Sequence, residues 1–152
     1  PKIFRMTSGG KLIAGIFEGE TINTPSMLCV EDYLVALKWA KSIGGLKALR
    51  ARADANAAVL DGWISASPFA TNLAKAHETK SNTSVCFSLA GDEAVPKKMA
   101  KLLEAEGVAF DIGGYRDAPP GLRVWCGATV ETSDVQALLP WLDWAYEQAR
   151  GT

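Results

Sequence analysis

Between Pro25 and Ile43 the apolar residues Met27, Val30, Leu34 and Leu37 recur at helical spacing, and the run stops at Gly44-Gly45. This predicts a helix opening at Pro25, a residue suited to the first helical position, with Thr24 as its N-cap. A second helix follows with Leu46, Leu49, Ala53, Leu60 and Ile64 along one stripe, so that the two make a helical hairpin. Arg50 and Asp54 stand four apart on it, a pair worth a few tenths of a kcal/mol at most on a solvated face. Upstream, residues 2–6 and 11–17 cluster apolar side chains only weakly, with Gly9, Gly10 and Gly19 as punctuation, the pattern of an arm or of short strands.

Residues 67–82 are polar and aperiodic and read as a connection. Val85, Phe87 and Leu89 then alternate with Ser84, Cys86 and Ser88, the period of a half-buried strand. Helical spacing returns over 92–106 through Val95, Met99, Leu102 and Leu103, and closes at Gly107. A short strand is expected at 108–112 and another at 122–130, joined by a loop that Pro119-Pro120 stiffens. The last helix opens with a capping box, Ser133 as cap and Gln136 three residues on, and runs through Val135, Leu138, Leu142 and Tyr146, with a kink expected at Pro140. Strand, helix, strand, strand is an α+β signature.

Composition narrows the class. The 152 residues, 48% hydrophobic and 22% charged, suit one globular domain with a loose N-terminal arm. A formal net charge of −1 leaves no basic excess for a phosphate backbone or an anionic membrane surface, so nucleic acid and membrane are not expected partners. Cys29, Cys86 and Cys126 are widely spaced without a CxxC, and His77 is the single histidine, which points to a reducing cytoplasm and no metal site. No segment approaches the roughly 18–20 apolar residues of a membrane span, and no basic-then-apolar leader is present. The opening "PKIFRMTSGGKL" reads as the middle of a polypeptide, which raises the expectation of a fragment.

Three places carry candidate chemistry. The first amides of a helix lack partners and lie at the positive end of its dipole, so Asn23 and Thr24 sit where a capped end either satisfies its own backbone or cradles an anion such as phosphate. Arg116 falls in the Gly- and Pro-bounded loop, and Arg123 on the strand after it, facing away from Leu122, Val124 and Cys126. A guanidinium grips a carboxylate or phosphate through two parallel N–H bonds, so the pair is either a clamp for an acidic metabolite or two solvated surface arginines. His77 has no Cys, Asp or Ser at useful spacing and reads as an exposed loop residue. The cysteines read as small core residues, and the five tryptophans as core or interface. Neither a phosphate-binding glycine loop nor a hydrolase or metalloprotease motif is present.

Over "GETINTPSMLCVEDYLVALKWAKSIGGL", "ARADANAAVLDGWI", "SNTSVCFSL", "GVAFDIGGYRDAPPGLRVWCGATV" and "LLPWLDWAYEQ" the chain resembles the C-terminal part of phosphoserine aminotransferases, in the group found in α-proteobacteria. The resemblance implies the small C-terminal domain of a fold-type-I (broadly α/β) enzyme: a mixed or antiparallel sheet covered by helices in residues 25–152, preceded by an arm over 1–24 and the helical hairpin. It implies pyridoxal phosphate as cofactor, and amino transfer between L-phosphoserine and 2-oxoglutarate, the reverse of the step from 3-phosphohydroxypyruvate and glutamate in serine biosynthesis. The family's Schiff-base lysine lies upstream, none of the lysines here sits in its motif, and the chain alone is expected to be inactive. Asn23 and Thr24 match residues that reach the cofactor phosphate of the neighbouring subunit in a homodimer. Arg123 matches the arginine that holds the substrate carboxylate, and Arg116 one near the substrate's acidic tail. Many relatives have His where this chain has Tyr115, in a slightly longer loop, which loosens the match at Arg116. Two other readings stand beside this one: another class V aminotransferase, of the alanine or serine–glyoxylate type, and a non-catalytic α+β module that binds an acidic metabolite or a protein.

Overall fold

The computed structural model describes residues 6–21 and 24–151. The chain divides into two units, 1–43 and 44–152. In the first, β1 (Thr7–Ser8) and β2 (Lys11–Leu12) form an antiparallel hairpin. Its two-residue turn is Gly9-Gly10, both at positive φ, the conformation that suits a tight hairpin and that glycine adopts at no steric cost. A 3-10 turn, Ala14–Glu18, ends at Gly19. Helix α1 (Met27–Ser42) follows, and none of its residues is buried.

Thr24 is not the N-cap of α1. Ser26 takes that position, with extended backbone and its hydroxyl accepting from the Cys29 amide at 3.5 Å. The helix therefore starts two residues later than Pro25, because it is Ser26 whose oxygen reaches the third helical amide. Cys29 is exposed on α1, so it is no core residue in this chain. The apolar residues of α1 are not confined to one stripe: Met27, Leu28, Val30, Tyr33, Val35 and Leu37 are all exposed and spread around the helix, a pattern ordinarily met in buried helices.

The second unit is built on the antiparallel sheet β3-β4-β5: β3 is Ala70–Asn72, β4 Ser84–Leu89 and β5 Leu122–Trp125. Register pairs Ala70 with Leu89, Phe87 with both Asn72 and Leu122, and Cys86 with Arg123. Period-2 alternation sends Ala70, Val85, Phe87, Leu122 and Val124 into the core. There they join residues of α2 (Gly45–Ala66), α3 (Val95–Ala105) and α4 (Thr132–Arg150), among which Leu60, Met99, Leu103 and Leu142 lose all exposure. Trp63 meets Phe69 and Phe87 edge-on, and Phe69 stacks on Tyr146 at 3.7 Å between centroids. The sheet is thus wholly antiparallel, with helices packed on its apolar face.

Five local expectations give way to tertiary structure. The connection 67–82 contains β3, whose backbone pairs with β4 although its sequence lacks an apolar rhythm. Residues 108–112 are not a strand. The Val108 and Ala109 amides both bond the Leu103 carbonyl, closing α3 over Gly107 at φ +68°, and Asp111 sits at φ +52°, so no extended run forms. What remains of the pairing is one bridge, Gly113 to Leu122, and the Arg123 amide donating to the Ile112 carbonyl at 2.9 Å. The strand expected over 122–130 ends at Trp125.

Ser133, finally, lies inside α4, which begins at Thr132 after the backbone of Glu131. The Thr132 hydroxyl donates to Asn56 at 2.6 Å and the Glu131 carboxylate pairs with Arg52 at 2.6 Å, so partners on α2 set this helix start. The helix then continues through Pro140. Asp54 accepts from Asn82, so the pairing described for it is not with Arg50.

Cys126 does belong to the core. It is fully buried, and burial, with the Asp61 charge second, pushes its thiol up to about 11. A thiol whose folded pKa is raised stabilises the fold below the unfolded value, about 8.5, and that contribution is lost as pH climbs from there towards 11. Unfolding free energy is therefore expected to fall between pH 8.5 and 10.5 by up to about 1.4 kcal/mol per unit from this group. Urea titrations at the two pH values check it against Cys126→Ala, which should flatten that part of the decline.

Candidate functional site

The outward residues of the sheet are Ser84, Cys86 and Ser88 on β4 and Arg123 and Trp125 on β5, with Cys86 directly across from Arg123. Over this face lies the loop from Asp111 to Gly121. Arg123 is on the face expected of it and its side chain is only 18% exposed. Its Nη2 donates to the Asp111 carboxylate at 2.9 Å and to the Asp111 carbonyl at 3.1 Å. The Tyr115 ring lies over the guanidinium, 4.6 Å from carbon to centroid. The hydrogen bond to Asp111 raises the pKa of Arg123 above its ordinary value; desolvation works against it, and the charges and contacts of Tyr115 and Asp111 add to it. Arg123 is thus a permanent cation held in place on three sides.

The loop is fixed close to the sheet by its glycines. A Cβ on Gly121 would fall 2.3 Å from the Phe87 carbonyl oxygen, which backbone cannot yield, so only glycine lets the chain enter β5 this near to β4. Arg116 sits in the turn closed by the Ala118 amide on the Tyr115 carbonyl, exposed and with no hydrogen bond or ion pair among the described residues. The structure therefore places Arg116 next in sequence to the aromatic cover of Arg123. Trp125 stays exposed beside it, so not every tryptophan fills the core. His77 is exposed in a short 3-10 turn.

A slot of about 40 Å³ between sheet and loop, with Leu73, Cys86, Tyr115 and Pro119 among its lining, is far smaller than a metabolite site. A groove of about 310 Å³ runs past Asn72, Thr79, Ser81, Ser84 and Cys86. Neither arginine lines either hollow. The arrangement is a fixed cation on an open face, able to orient an anion.

Asn23 lies outside the described residues. Thr24 is exposed, ahead of α1, in the first unit. Its hydroxyl suits a phosphate contact. Lys47 and Lys97 line open grooves of about 380 and 330 Å³. The described residues thus present an exposed hydroxyl at Thr24 and a fixed cation at Arg123, two groups able to hold anions.

Two supporting residues were not singled out from the sequence. Asn56 is wholly buried on α2, and its side-chain amide donates to the carbonyls of Val130 at 2.9 Å, Cys126 at 3.2 Å and Gly127 at 3.4 Å. Arg52 donates to the Ala128 carbonyl at 2.8 Å. Together they tie the exit of β5 to α2. A signal existed for Asn56: it stands three after Ala53 and four before Leu60, an amide on an apolar stripe. Asp111 carried none, since only the fold brings it to Arg123.

No protein-family model matches the chain. Over 147 residues, 97% of the chain, it is 54% identical to phosphoserine aminotransferase of Methanosarcina mazei, and over 146 residues 55% identical to that of Methanosarcina barkeri. The likeness is thus not confined to α-proteobacteria. A putative phosphoserine aminotransferase of Mycolicibacterium vanbaalenii is 31% identical over 139 residues. The chain spans 40% of the length of the two Methanosarcina relatives and 36% of the third. Among solved structures, phosphoserine aminotransferase from Bacillus circulans subsp. alkalophilus superposes with a TM-score of 0.73 at 24% identity, over 83% of this chain and 34% of that one. A second, from work on radiation damage of the Schiff base in phosphoserine aminotransferase, gives 0.77 at 21% identity, over 90% and 38%. The α+β fold described above is therefore part of the phosphoserine aminotransferase fold, and along nearly its whole length the chain is similar to the C-terminal portion of such enzymes.

Proposed function

We propose that this chain is the C-terminal portion of a phosphoserine aminotransferase, and that in the complete protein it supplies the arginine that orients the substrate. The observation that carries the reading is Arg123: a permanent cation, four-fifths buried on a rigid strand, whose neighbours fix it on an otherwise open sheet face. In this reading the guanidinium takes the α-carboxylate common to phosphoserine and glutamate. Arg116, exposed one residue beyond Tyr115, takes the distal phosphate or carboxylate.

Pyridoxal phosphate, when bound, supplies the electron sink for exchanging the amino group between L-phosphoserine and 2-oxoglutarate. The residues of this chain bind and orient. Asn23 and Thr24 contribute hydrogen bonds to the cofactor phosphate of the neighbouring subunit in a homodimer. Residues 1–24 form the arm that carries them, and residues 25–152 the small domain. The lysine that holds the cofactor belongs to the part of the enzyme outside this chain, so the chain alone does not transaminate. Because α1 exposes large apolar residues on several sides and none of its residues is buried, it suits a place against other parts of that larger assembly. No helix among the described residues is long and apolar enough to cross a membrane, which suits an enzyme of serine biosynthesis in the cytoplasm.

The test is the complete protein assayed with paired substrates. Phosphoserine with 2-oxoglutarate should be turned over at least tenfold more efficiently than alanine or serine with glyoxylate. A preference for the glyoxylate pairs replaces this reading by another class V aminotransferase, and no amino transfer with any pair removes it. The double variant Asn23→Ala, Thr24→Ala should lose cofactor on dialysis while the wild type keeps it, since charge-assisted hydrogen bonds contribute about 1.5–3 kcal/mol each.

A further inference from the structure

We infer that Asp111 is the positioning residue for Arg123, a role that rests on the reading of Arg123 as the carboxylate-binding arginine. A long arginine side chain has several rotatable bonds, and a site that must orient a carboxylate needs them frozen before the ligand arrives. Asp111 freezes the end of the chain. Its carboxylate and its own carbonyl both accept from the same nitrogen, Nη2, at 2.9 and 3.1 Å. That double grip depends on the backbone: at φ +52° Asp111 is the one non-glycine residue at positive φ among those described, a conformation that aspartate tolerates better than most. One residue on, the Ile112 carbonyl takes the Arg123 amide at 2.9 Å, so the same segment fixes both the root and the tip of the arginine.

The remaining faces of the guanidinium are settled around this contact. The guanidinium carbon lies over the Tyr115 ring, 4.6 Å from its centroid. Nε is buried without a partner among the described residues, which costs free energy and turns that edge away from solvent. With Nη2 held by Asp111, the guanidinium keeps a fixed orientation on the sheet face. The Asp111 carboxylate is itself 90% exposed, so it holds Nη2 from outside the fold and can be removed without opening the core.

Asp111→Gly isolates the carboxylate, because glycine keeps both the positive φ and the carbonyl acceptor. In the complete enzyme this variant should raise KM for phosphoserine and for glutamate by roughly five- to tenfold, with kcat within about twofold of wild type and an unchanged thermal midpoint. Asp111→Asn, which keeps a neutral acceptor at the same place, should bring KM back to within about twofold of wild type. In an Arg123→Lys background Asp111→Gly should add no further loss. An unchanged KM in Asp111→Gly, or an equal loss in the lysine background, overturns the positioning role while leaving Arg123 in its site. A lower KM overturns it too, by showing that the Asp111 carboxylate competes with the substrate's. If Arg123→Lys has itself no effect on either substrate, the reading of Arg123 falls first and the role of Asp111 with it.

Discussion

Arg123→Lys in the complete enzyme is expected to lower kcat/KM for phosphoserine and for glutamate alike, by about 2 kcal/mol or roughly thirtyfold. Lysine keeps the charge, but it is a point charge on a flexible stem and lacks the fixed, planar array of donors that a guanidinium holds in place. It also gives up the guanidinium's place over the Tyr115 ring and the double contact to Asp111 that freeze the arginine. The loss should be equal for the two amino donors because they share the α-carboxylate and differ at the other end. Arg116→Lys should instead change the ratio between them, since that arginine, exposed in its turn, is assigned to the distal group. Steady-state kinetics with each donor decide it. Near-wild-type kcat/KM for both donors in Arg123→Lys removes Arg123 from the site.

Asn56→Ala should cost the fold about 3 kcal/mol, the largest stability effect expected of any single polar side chain here. The side chain serves three carbonyls of residues 126–130 and accepts from the Thr132 hydroxyl, all with the asparagine fully buried. Truncation takes the side-chain donor from the Cys126 and Val130 carbonyls, while Gly127 keeps the Val130 amide, and it opens a cavity where the fully buried amide stood, so desolvation and packing losses add. Asn56→Asp should be worse, because a carboxylate would face three carbonyl oxygens. Thr132→Val removes a single bond of the set and should cost about 1 kcal/mol. Urea denaturation of the four proteins gives the order directly. An Asn56→Ala midpoint equal to that of wild type contradicts the account of α2 as the anchor of this turn. Because the anchored segment is the continuation of β5, such variants should also loosen the strand that carries Arg123.

Much of this architecture was legible from local pattern. Period 3.6 located α1, α2, α3 and α4, and period 2 located β4 and set Arg123 on the face opposite Leu122 and Val124. Those assignments need only the residues within an element, because amphipathic burial is decided by neighbours two to four positions away. The same logic fails at element ends. Thr24 and Ser133 were reasonable caps by residue type, yet Ser26 caps α1, and Glu131 and Thr132 begin α4 under the hold of Arg52 and Asn56. Residues 108–112 have the composition of a strand, and lost that state when the end of α3 took the Val108 and Ala109 amides.

Local pattern was enough for the helices, the central strand, the outward direction of Arg123 and, through the motifs, the family resemblance. Long-range contacts were needed to show that β3 exists, that the sheet is wholly antiparallel, and that Asp111 and Tyr115 are what hold Arg123. The division follows from the range of the interactions. Periodicity records burial, which every residue of an element reports. A hydrogen bond such as that from Asn56 to Val130, 74 residues apart, is recorded by one pair of positions whose meeting depends on every turn between them.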